Sequence, residues 1–109
     1  MVGKAYVPDA GDLVWFTSDA QSGRRPALIL SPRAYNARAR LALACPVTSL
    51  QKGYPFEVAI PPGHGIAGVV LADHVKNLDW EARRVEFESK APAALVAEVR
   101  ERLRPLLGL

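Results

Sequence analysis

The hydrophobic pattern of the chain changes character once, and this change constrains the fold more than any other feature of the sequence. Up to about residue 90, short apolar segments rich in β-branched and aromatic residues alternate with turns that contain Gly or Pro, a pattern typical of β-strands. Beyond Pro92 the apolar residues recur at helical spacings of 3, 4 and 3, at Val96, Val99, Leu103 and Leu106. Strands first and one amphipathic helix last predict a mainly β, α+β fold: a small antiparallel barrel with α decoration.

Six strands are predicted from these segments. They run from Asp12 to Thr17, Arg25 to Leu30, Leu41 to Val47, Phe56 to Ile60, Gly68 to Val75 and Arg84 to Ser89. The third segment is apolar throughout, which predicts burial on both faces. The stretch from Asn77 to Arg83 shows neither the alternation of a strand nor the spacing of a helix, and is predicted to be irregular.

Two helices are predicted, one short and internal and one at the C-terminal end. Ser31 and Pro32 suit the N-cap and first position of a helix of one or two turns from Ala34 to Arg40. Pro92 suits the first position of the C-terminal helix. Pro105 is expected to end or kink that helix near Arg104, because proline cannot continue the backbone hydrogen bonds.

Length and composition predict one domain spanning residues 1–109. Half of the residues are apolar and 23% are charged, enough apolar surface for one core. Cys45 is the only cysteine, which excludes an intramolecular disulfide and a paired-cysteine zinc site and fits a reducing compartment. The longest nonpolar run, Gly65 to Ala72, has 8 residues, whereas a membrane helix needs about 20. We therefore expect a cytoplasmic protein without a membrane span or secretory signal.

The charge is modest but has the sign that suits a polyanionic partner. The formal net charge is +3, and the arginines form small groups along the chain. Such groups are more often solvated surfaces than binding sites. Charge alone therefore does not identify a ligand.

Four segments together resemble the MazF/PemK family of toxin endoribonucleases. They are YVPDAGDLVWF at 6–16, RPALILSP at 25–32, CPVTSLQKGYPFEV at 45–58 and VVLADHVKNLDW at 69–80. Each string alone is weak evidence. Their order and spacing, with a Thr shortly before KGYPFEV, make the resemblance specific.

This resemblance implies both a fold and a function. The implied fold is the SH3-like, CcdB-type barrel. The implied function is that of an mRNA interferase: a sequence-specific, ribosome-independent endoribonuclease toxin of a type II toxin–antitoxin system that cleaves single-stranded RNA. The family also implies a homodimer with sites along an interface groove, held inactive by a MazE-like antitoxin whose acidic tail occupies the RNA path.

RNA cleavage of this kind requires no metal or other cofactor. A 2′-hydroxyl attacks the adjacent phosphate while one group accepts its proton, another protonates the leaving oxygen and a cation stabilises the phosphate oxygens. The sequence shows no paired Asp/Glu cluster of the metal-nuclease kind. By residue type alone His64 and His74 are the candidate acid and base. However, His64 lies in a Pro/Gly turn that favours an exposed loop, and for His74 a solvent-facing strand end and a ligand contact are equally good interpretations.

The resemblance instead assigns the chemistry to Arg25 and Thr48, which match the family's Arg before Pro and its Thr after the third strand. Arg25 keeps its charge at any relevant pH, and its planar fork suits a phosphate, so it is assigned the transition-state clamp and is also a candidate proton donor. Thr48 can hydrogen-bond the phosphate or the attacking hydroxyl and hold the in-line geometry.

RNA recognition is assigned to side chains at strand ends and in loops. The resemblance places Thr17, Lys52, His74, Lys76 and Asn77 beside the family's site. The loop from Ser18 to Arg24 is shorter than in familiar members and lacks their glutamate; it offers Asp19, Gln21 and Arg24 as further contacts. Single-stranded bases stack on aromatic rings, and one or two of Trp15, Phe16, Tyr54 and Phe56 are expected to meet them. Trp80 and Cys45 are expected in the core.

Two other functions remain open at this point. A CcdB-like poison of DNA gyrase would share the fold, but that branch ends in a Trp-Gly-Ile tail, whereas this chain ends Leu-Leu-Gly-Leu. A non-catalytic SH3-like binding module is the default for a small barrel without an acid/base pair. Binding of RNA without cleavage would indicate this module.

Overall fold

A computed structural model describes residues 6–19 and 23–109, with the backbone alone for Asp19. Within these ranges the chain forms seven strands and two α-helices. The strands are β1 (Asp12–Asp19), β2 (Gly23–Ile29), β3 (Ala42–Thr48), β4 (Glu57–Ala59), β5 (Val69–Leu71), β6 (Lys76–Leu78) and β7 (Glu86–Lys90), and the helices are α1 (Arg33–Ala39) and α2 (Ala93–Leu103). Neither helix is long and apolar enough to cross a bilayer.

All strand pairs are antiparallel, and β3 is the strand on which the others converge. The order in the sheet is β4-β5-β3-β2-β1-β7. On the edge of β3 that faces away from β2, β6 pairs with its first half and β5 with its second half. No ladder joins β4 to β7 among residues 6–19 and 23–109. The predicted α+β class is confirmed, although hydrogen bonds do not close the sheet into a barrel.

Both faces of the sheet are covered by buried apolar clusters. Neighbouring residues on a strand point to opposite faces, so one strand can contribute to both clusters. In β1, Leu13 packs into one cluster and Val14 into the other. The first cluster includes Leu28 and the apolar side of α2, formed by Leu95, Val96, Val99 and Leu103. The second includes Phe16, Ala27, Ile29 and Trp80. The expected burial of Trp80 and Cys45 is confirmed.

The segment after β5 differs from the prediction. Instead of a strand from Gly68 to Val75, β5 ends at Leu71 and a 3-10 turn follows over Ala72–His74. Lys76 and the first two residues of the segment predicted to be irregular, Asn77 and Leu78, then form β6, in which Leu78 lies opposite Ala42. The turn moves the chain from the second half of β3 to its first half. Pairing with β3, rather than local propensity, therefore makes this segment a strand.

The helix starts also differ from the prediction. Pro32 and Pro92, not Ser31 and Ala91, occupy the N-cap positions. The Ser31 hydroxyl donates a hydrogen bond to Asn36 Oδ1 (2.5 Å) and accepts one from the Leu43 N–H (2.9 Å). The fully buried Asn36 in turn donates to the carbonyl of Pro8 (2.8 Å). Ser31 thus joins α1 to β3 instead of capping the helix.

Two predicted buried positions are exposed. Leu43 in β3 is 40% exposed and Leu106 is 51% exposed. The prediction that β3 is buried on both faces was therefore wrong at Leu43. Leu106 does not continue the apolar side of α2, because Pro105 ends the helix as predicted and begins a 3-10 turn.

An ion pair between the buried Asp12 and the exposed Lys90 joins β1 to the edge strand β7. Asp12 is 2% exposed, and its carboxylate accepts hydrogen bonds from Lys90 Nζ (2.6 Å), the Tyr6 hydroxyl (2.5 Å) and the Asp9 N–H (2.9 Å). Burial, together with the hydrogen bond to Asp12, raises the pKa of Tyr6 above its usual range. Because several donors converge on one carboxylate, each of them depends on its charge.

Replacing Asp12 with Asn should lower the free energy of unfolding by about 1–3 kcal/mol, since three donors lose the charge of the buried carboxylate that accepts from them. Urea denaturation followed by circular dichroism measures the effect. Glu101→Gln is the control, because Glu101 is exposed and its oxygen lies 3.8 Å from Arg104 Nε; it should cost less than about 0.5 kcal/mol. Equal stabilities of the two variants would contradict a structural role for the Asp12 ion pair.

Cys45 is fully buried in the first core cluster. Burial, with a smaller contribution from the charge of Asp73, raises the pKa of the Cys45 thiol to about 12. The thiol should therefore stay protonated and unreactive towards iodoacetamide at pH 8 in the folded protein, and react after unfolding in urea. Mass spectrometry measures the modification, and rapid labelling of the folded chain would contradict this prediction.

Candidate active site

The strand register brings Arg25 and Thr48 together although they lie on different strands. Ala27 in β2 pairs with Pro46 in β3, and continuing that antiparallel register two residues further places Arg25 opposite Thr48. The ladder itself ends at the Ala27–Pro46 pair. Pro26 and Pro46 line the opening at this end of the ladder. Neither has an amide hydrogen with which to extend the pairing.

The opening at this point, termed the basic cleft, has a volume of 360 Å³. Its lining residues are Phe16, Ser18, Arg25, Pro26, Pro46, Val47, Thr48, Leu71 and Lys76. Three of the predicted site residues thus share one cavity.

The electrostatics of the basic cleft suit a phosphate. Arg25 and Lys76 are its charged side chains, and no carboxylate from the described residues lines it. No ion pair within residues 6–19 and 23–109 engages either cation. Lys76 Nζ lies 5.3 Å from the centre of the Phe16 ring, an attractive contact for a cation. Within the part of the chain that the structure describes, both cations thus lack a carboxylate partner.

Thr48 ends β3 at a point where the chain is tightly packed. Its Oγ1 accepts a hydrogen bond from the Leu50 N–H (3.1 Å), which leaves the hydroxyl hydrogen free to donate. Gly68 passes so close that an added Cβ would lie 2.2 Å from the Thr48 carbonyl oxygen, and its φ is +124°. Only glycine fits there, so Gly68 lets β5 approach and hold Thr48 in place.

A second, smaller cavity of 160 Å³ lies on the other side of Thr48. This side pocket shares Thr48 and Leu71 with the basic cleft. Its lining residues are Thr48, Leu50, Lys52, Tyr54, Glu57, Leu71, Asp73 and His74. The predicted contacts Lys52 and His74 thus lie next to the predicted catalytic pair.

Among the four rings considered for base stacking, Tyr54 is the most accessible. It is 61% exposed and lines the side pocket, whereas Phe16 is buried and Trp15 and Phe56 are half-buried. Lys52 Nζ lies 5.9 Å from the Tyr54 ring centre. The side pocket therefore combines a ring with a cation.

Other predicted contacts lie away from both cavities. Thr17 pairs with Arg24 in the ladder, whereas Phe16 pairs with Arg25, so Arg24 and Arg25 point to opposite faces. The Arg24 guanidinium donates hydrogen bonds to Glu86 Oε1 (2.6 Å) and Thr17 Oγ1 (3.0 Å) and to two backbone carbonyls. Arg24 is thus engaged with β1 and β7.

The remaining predicted residues are placed as follows. Asn77 follows Lys76 in β6 and lies opposite Leu43, outside both cavities. Asp19 ends β1, and its side chain, like the whole of Gln21, lies outside the described residues. His64 is half-buried in its turn, where its carbonyl accepts a hydrogen bond from the Ser89 hydroxyl (2.5 Å).

The histidine beside the site belongs to a turn, not to a strand end. His74 closes the 3-10 turn after β5, and its Nε2 lies 3.8 Å from Asp73 Oδ1. In residues 6–19 and 23–109, no three His, Cys, Asp or Glu side chains form a group that could hold a metal ion. Sequence reasoning missed Asp73 and Glu57 in the side pocket. Their position inside the family-like segments was the available signal.

Comparison with known proteins places this chain in a family. Residues 9–107 match the family described as the PemK-like, MazF-like toxin of type II toxin–antitoxin systems. The endoribonuclease toxin MazF of Escherichia coli K12 is 39% identical over 108 residues, covering 94% of this chain and 96% of the relative.

Solved structures agree with this placement. A MazE–MazF structure from Deinococcus radiodurans superimposes with a TM-score of 0.90 at 58% identity, covering 96% of this chain and 99% of the other. A mycobacterial endoribonuclease in complex with its cognate antitoxin gives a TM-score of 0.79 at 25% identity, covering 94% and 96%. With nearly the whole length matched in both sequence and structure, the chain belongs to the PemK/MazF family of type II toxin–antitoxin toxins.

Proposed function

We propose that this protein is an endoribonuclease toxin that cleaves single-stranded mRNA at specific sequences, independently of the ribosome and of a metal. The observation that carries the proposal is the meeting of Arg25 and Thr48 in one cleft whose charged groups are cationic. The names of the relatives support it, since the reported MazF and mycobacterial proteins are endoribonucleases.

The proposed reaction is an internal transesterification. The 2′-oxygen forms a bond to the adjacent phosphorus and gives up its proton, while the bond from phosphorus to the 5′-oxygen breaks and that oxygen gains a proton. Negative charge builds on the non-bridging oxygens. The Arg25 fork, with Lys76 in the same cleft, stabilises this charge. Arg25 is unsuited to act as the base, because it keeps its proton at any relevant pH.

Thr48 has the complementary role of holding the geometry. One oxygen lone pair accepts the Leu50 N–H, so the hydroxyl hydrogen can be directed at a phosphate oxygen or the attacking 2′-oxygen. Alignment of the attacking and leaving oxygens then accelerates the step. Lys52 and His74 in the side pocket bind the neighbouring nucleotide, and contacts from Thr17, Asp19, Gln21, Arg24 and Asn77 stay predictions.

The proposed partners follow from the same surface. The Deinococcus and mycobacterial structures contain toxin together with antitoxin, and we expect a homodimer of this chain to bind a MazE-like antitoxin. An acidic antitoxin segment would compete with RNA for Arg25 and Lys76. Because its substrate is mRNA, the toxin is expected to act in the cytoplasm.

The two alternative functions are less well supported. A gyrase poison and a non-catalytic binding module would not require Arg25 and Thr48 to meet in a cationic cleft. The reported relatives are named endoribonucleases, so nuclease activity is favoured over both.

Arg25→Ala should lower kcat for cleavage of a long single-stranded RNA by about 100-fold or more, because an oriented charge at the transition state is lost. Cleavage is followed by gel electrophoresis in the presence of EDTA. The control is Arg104→Ala, which removes an exposed arginine of the α2 end that pairs with Glu101. RNA left intact by the wild-type protein would contradict the proposed function, and equal rates in the two variants would contradict the role of Arg25.

Thr48→Val keeps the shape of the side chain but removes the hydroxyl, and should lower kcat by about tenfold or more. Thr48→Ser restores the hydroxyl and should recover most of the rate. Single-turnover cleavage at saturating enzyme separates this effect from binding. If Val and Ser variants cleave equally fast, the Thr48 hydroxyl takes no part.

A further inference from the structure

The loop of residues 49–56 carries one wall of the side pocket, and the Glu57 carboxylate holds its middle. Glu57, the half-buried first residue of β4, accepts hydrogen bonds from the N–H of Lys52 (3.0 and 3.2 Å to its two oxygens) and from that of Gly53 (2.9 Å). Its own N–H donates to the carbonyl of Tyr54 (3.1 Å). The loop is thus closed around the Glu57 side chain.

Two consecutive N–H groups converge on the carboxylate, an arrangement that suits an anion. The convergence requires an unusual backbone conformation at Gly53, whose φ is +83°. A side chain there would strain the loop, although nothing lies within 4 Å of an added Cβ. Hydrogen bonds to a charged acceptor are stronger than neutral ones. The carboxylate therefore orders the loop before any ligand arrives.

A second tether comes from the helix layer. The Arg102 guanidinium, on α2, donates a hydrogen bond to the carbonyl of Pro55 and pairs with Glu98 Oε2 at 2.9 Å. Arg102 holds the C-terminal end of the loop. Among the hydrogen bonds within the described residues, only those to Glu57 hold the backbone of Lys52 and Gly53. These two residues come directly before Tyr54, whose ring lines the side pocket.

We propose that Glu57 is a positioning residue that shapes the side pocket to take the nucleobase next to the scissile phosphate. This inference rests on the proposed function. The Tyr54 ring and the apolar Leu50 and Leu71 offer a surface on which a flat base stacks. Asp73 and His74, on the opposite wall, offer hydrogen-bonding groups to its edge.

The position of Glu57 predicts an effect on recognition rather than on chemistry. Its oxygens are occupied by the loop, and Arg25 and Lys76 line the basic cleft, not the side pocket. Loss of the carboxylate frees Lys52 and Tyr54 to leave the pocket wall. Binding of the base then weakens and sequence selection relaxes, while the phosphate clamp is unchanged.

Glu57→Ala should raise KM for a cleavable oligonucleotide by about tenfold with kcat changed by less than about threefold. Mapping the cut ends on a long RNA should show relaxed preference at one base beside the cut. The KM of Glu57→Gln should lie between those of Glu57→Ala and the wild type, because the Gln amide oxygen can still accept hydrogen bonds from the loop. The matched control is Glu88→Ala, which removes a strand carboxylate that accepts a bond from Trp15 Nε1 (2.8 Å) outside both cavities.

Gly53→Ala provides an independent test if Glu57→Ala fails to fold. It strains the same loop without a clash and should raise KM and relax selection in the same way. Wild-type KM and cut pattern in a folded Glu57→Ala or Gly53→Ala protein would overturn the positioning role. So would a fall in kcat alone. Either result leaves RNA cleavage through Arg25 intact, whereas failure of the wild-type protein to cut RNA would overturn the proposed function itself.

Discussion

The register between β2 and β3 is the constraint on which the rest of the structure depends. With Leu28 opposite Cys45, both residues enter the core cluster that α2 covers. The same register leaves Arg25 and Thr48 beside each other at the end of the ladder. A shift of one residue would turn the apolar side chains of β2 to the wrong face and would separate the two polar ones. Core packing and site geometry are therefore consequences of one pairing.

Charged residues in this protein fall into two groups that their number alone does not distinguish. Some are engaged inside the fold, as Arg24 is with Glu86 and Lys90 with Asp12. Others, Arg25 and Lys76, line a cleft without an ion pair from the described residues. A phosphate bound to the second group would displace no ion pair among the described residues. The net charge of +3 therefore says little about where an anion binds.

The role proposed for Glu57 is to act on the site through the backbone of a loop. Its carboxylate accepts hydrogen bonds from the backbone of Lys52 and Gly53, and the loop so held contributes Lys52 and Tyr54 to the lining of the side pocket. An ordered loop loses less conformational freedom on binding than a mobile one. The proposed phosphate clamp lies in the basic cleft and the preorganised wall lies in the side pocket. This separation would let the rate of cleavage and the choice of sequence change independently.

Much of this protein was determined by the sequence alone. Alternation and helical spacing predicted six strand regions and the C-terminal helix, and the order of the family-like segments pointed to Arg25 and Thr48. The strand and helix signals are local, since each depends on the residues of one segment, whereas the resemblance depends on the order and spacing of four segments. They also predicted the helix end at Pro105, where the missing N–H acts within its own turn.

Only the tertiary structure decided the remaining features. It made β6 a strand by pairing it with β3, turned Arg24 and Arg25 to opposite faces, and brought Glu57 to the backbone of Lys52 and Gly53. Each of these depends on which residue lies opposite or beside which in space. Local periodicity carries no such information, because register and side-chain direction are set by contacts between segments.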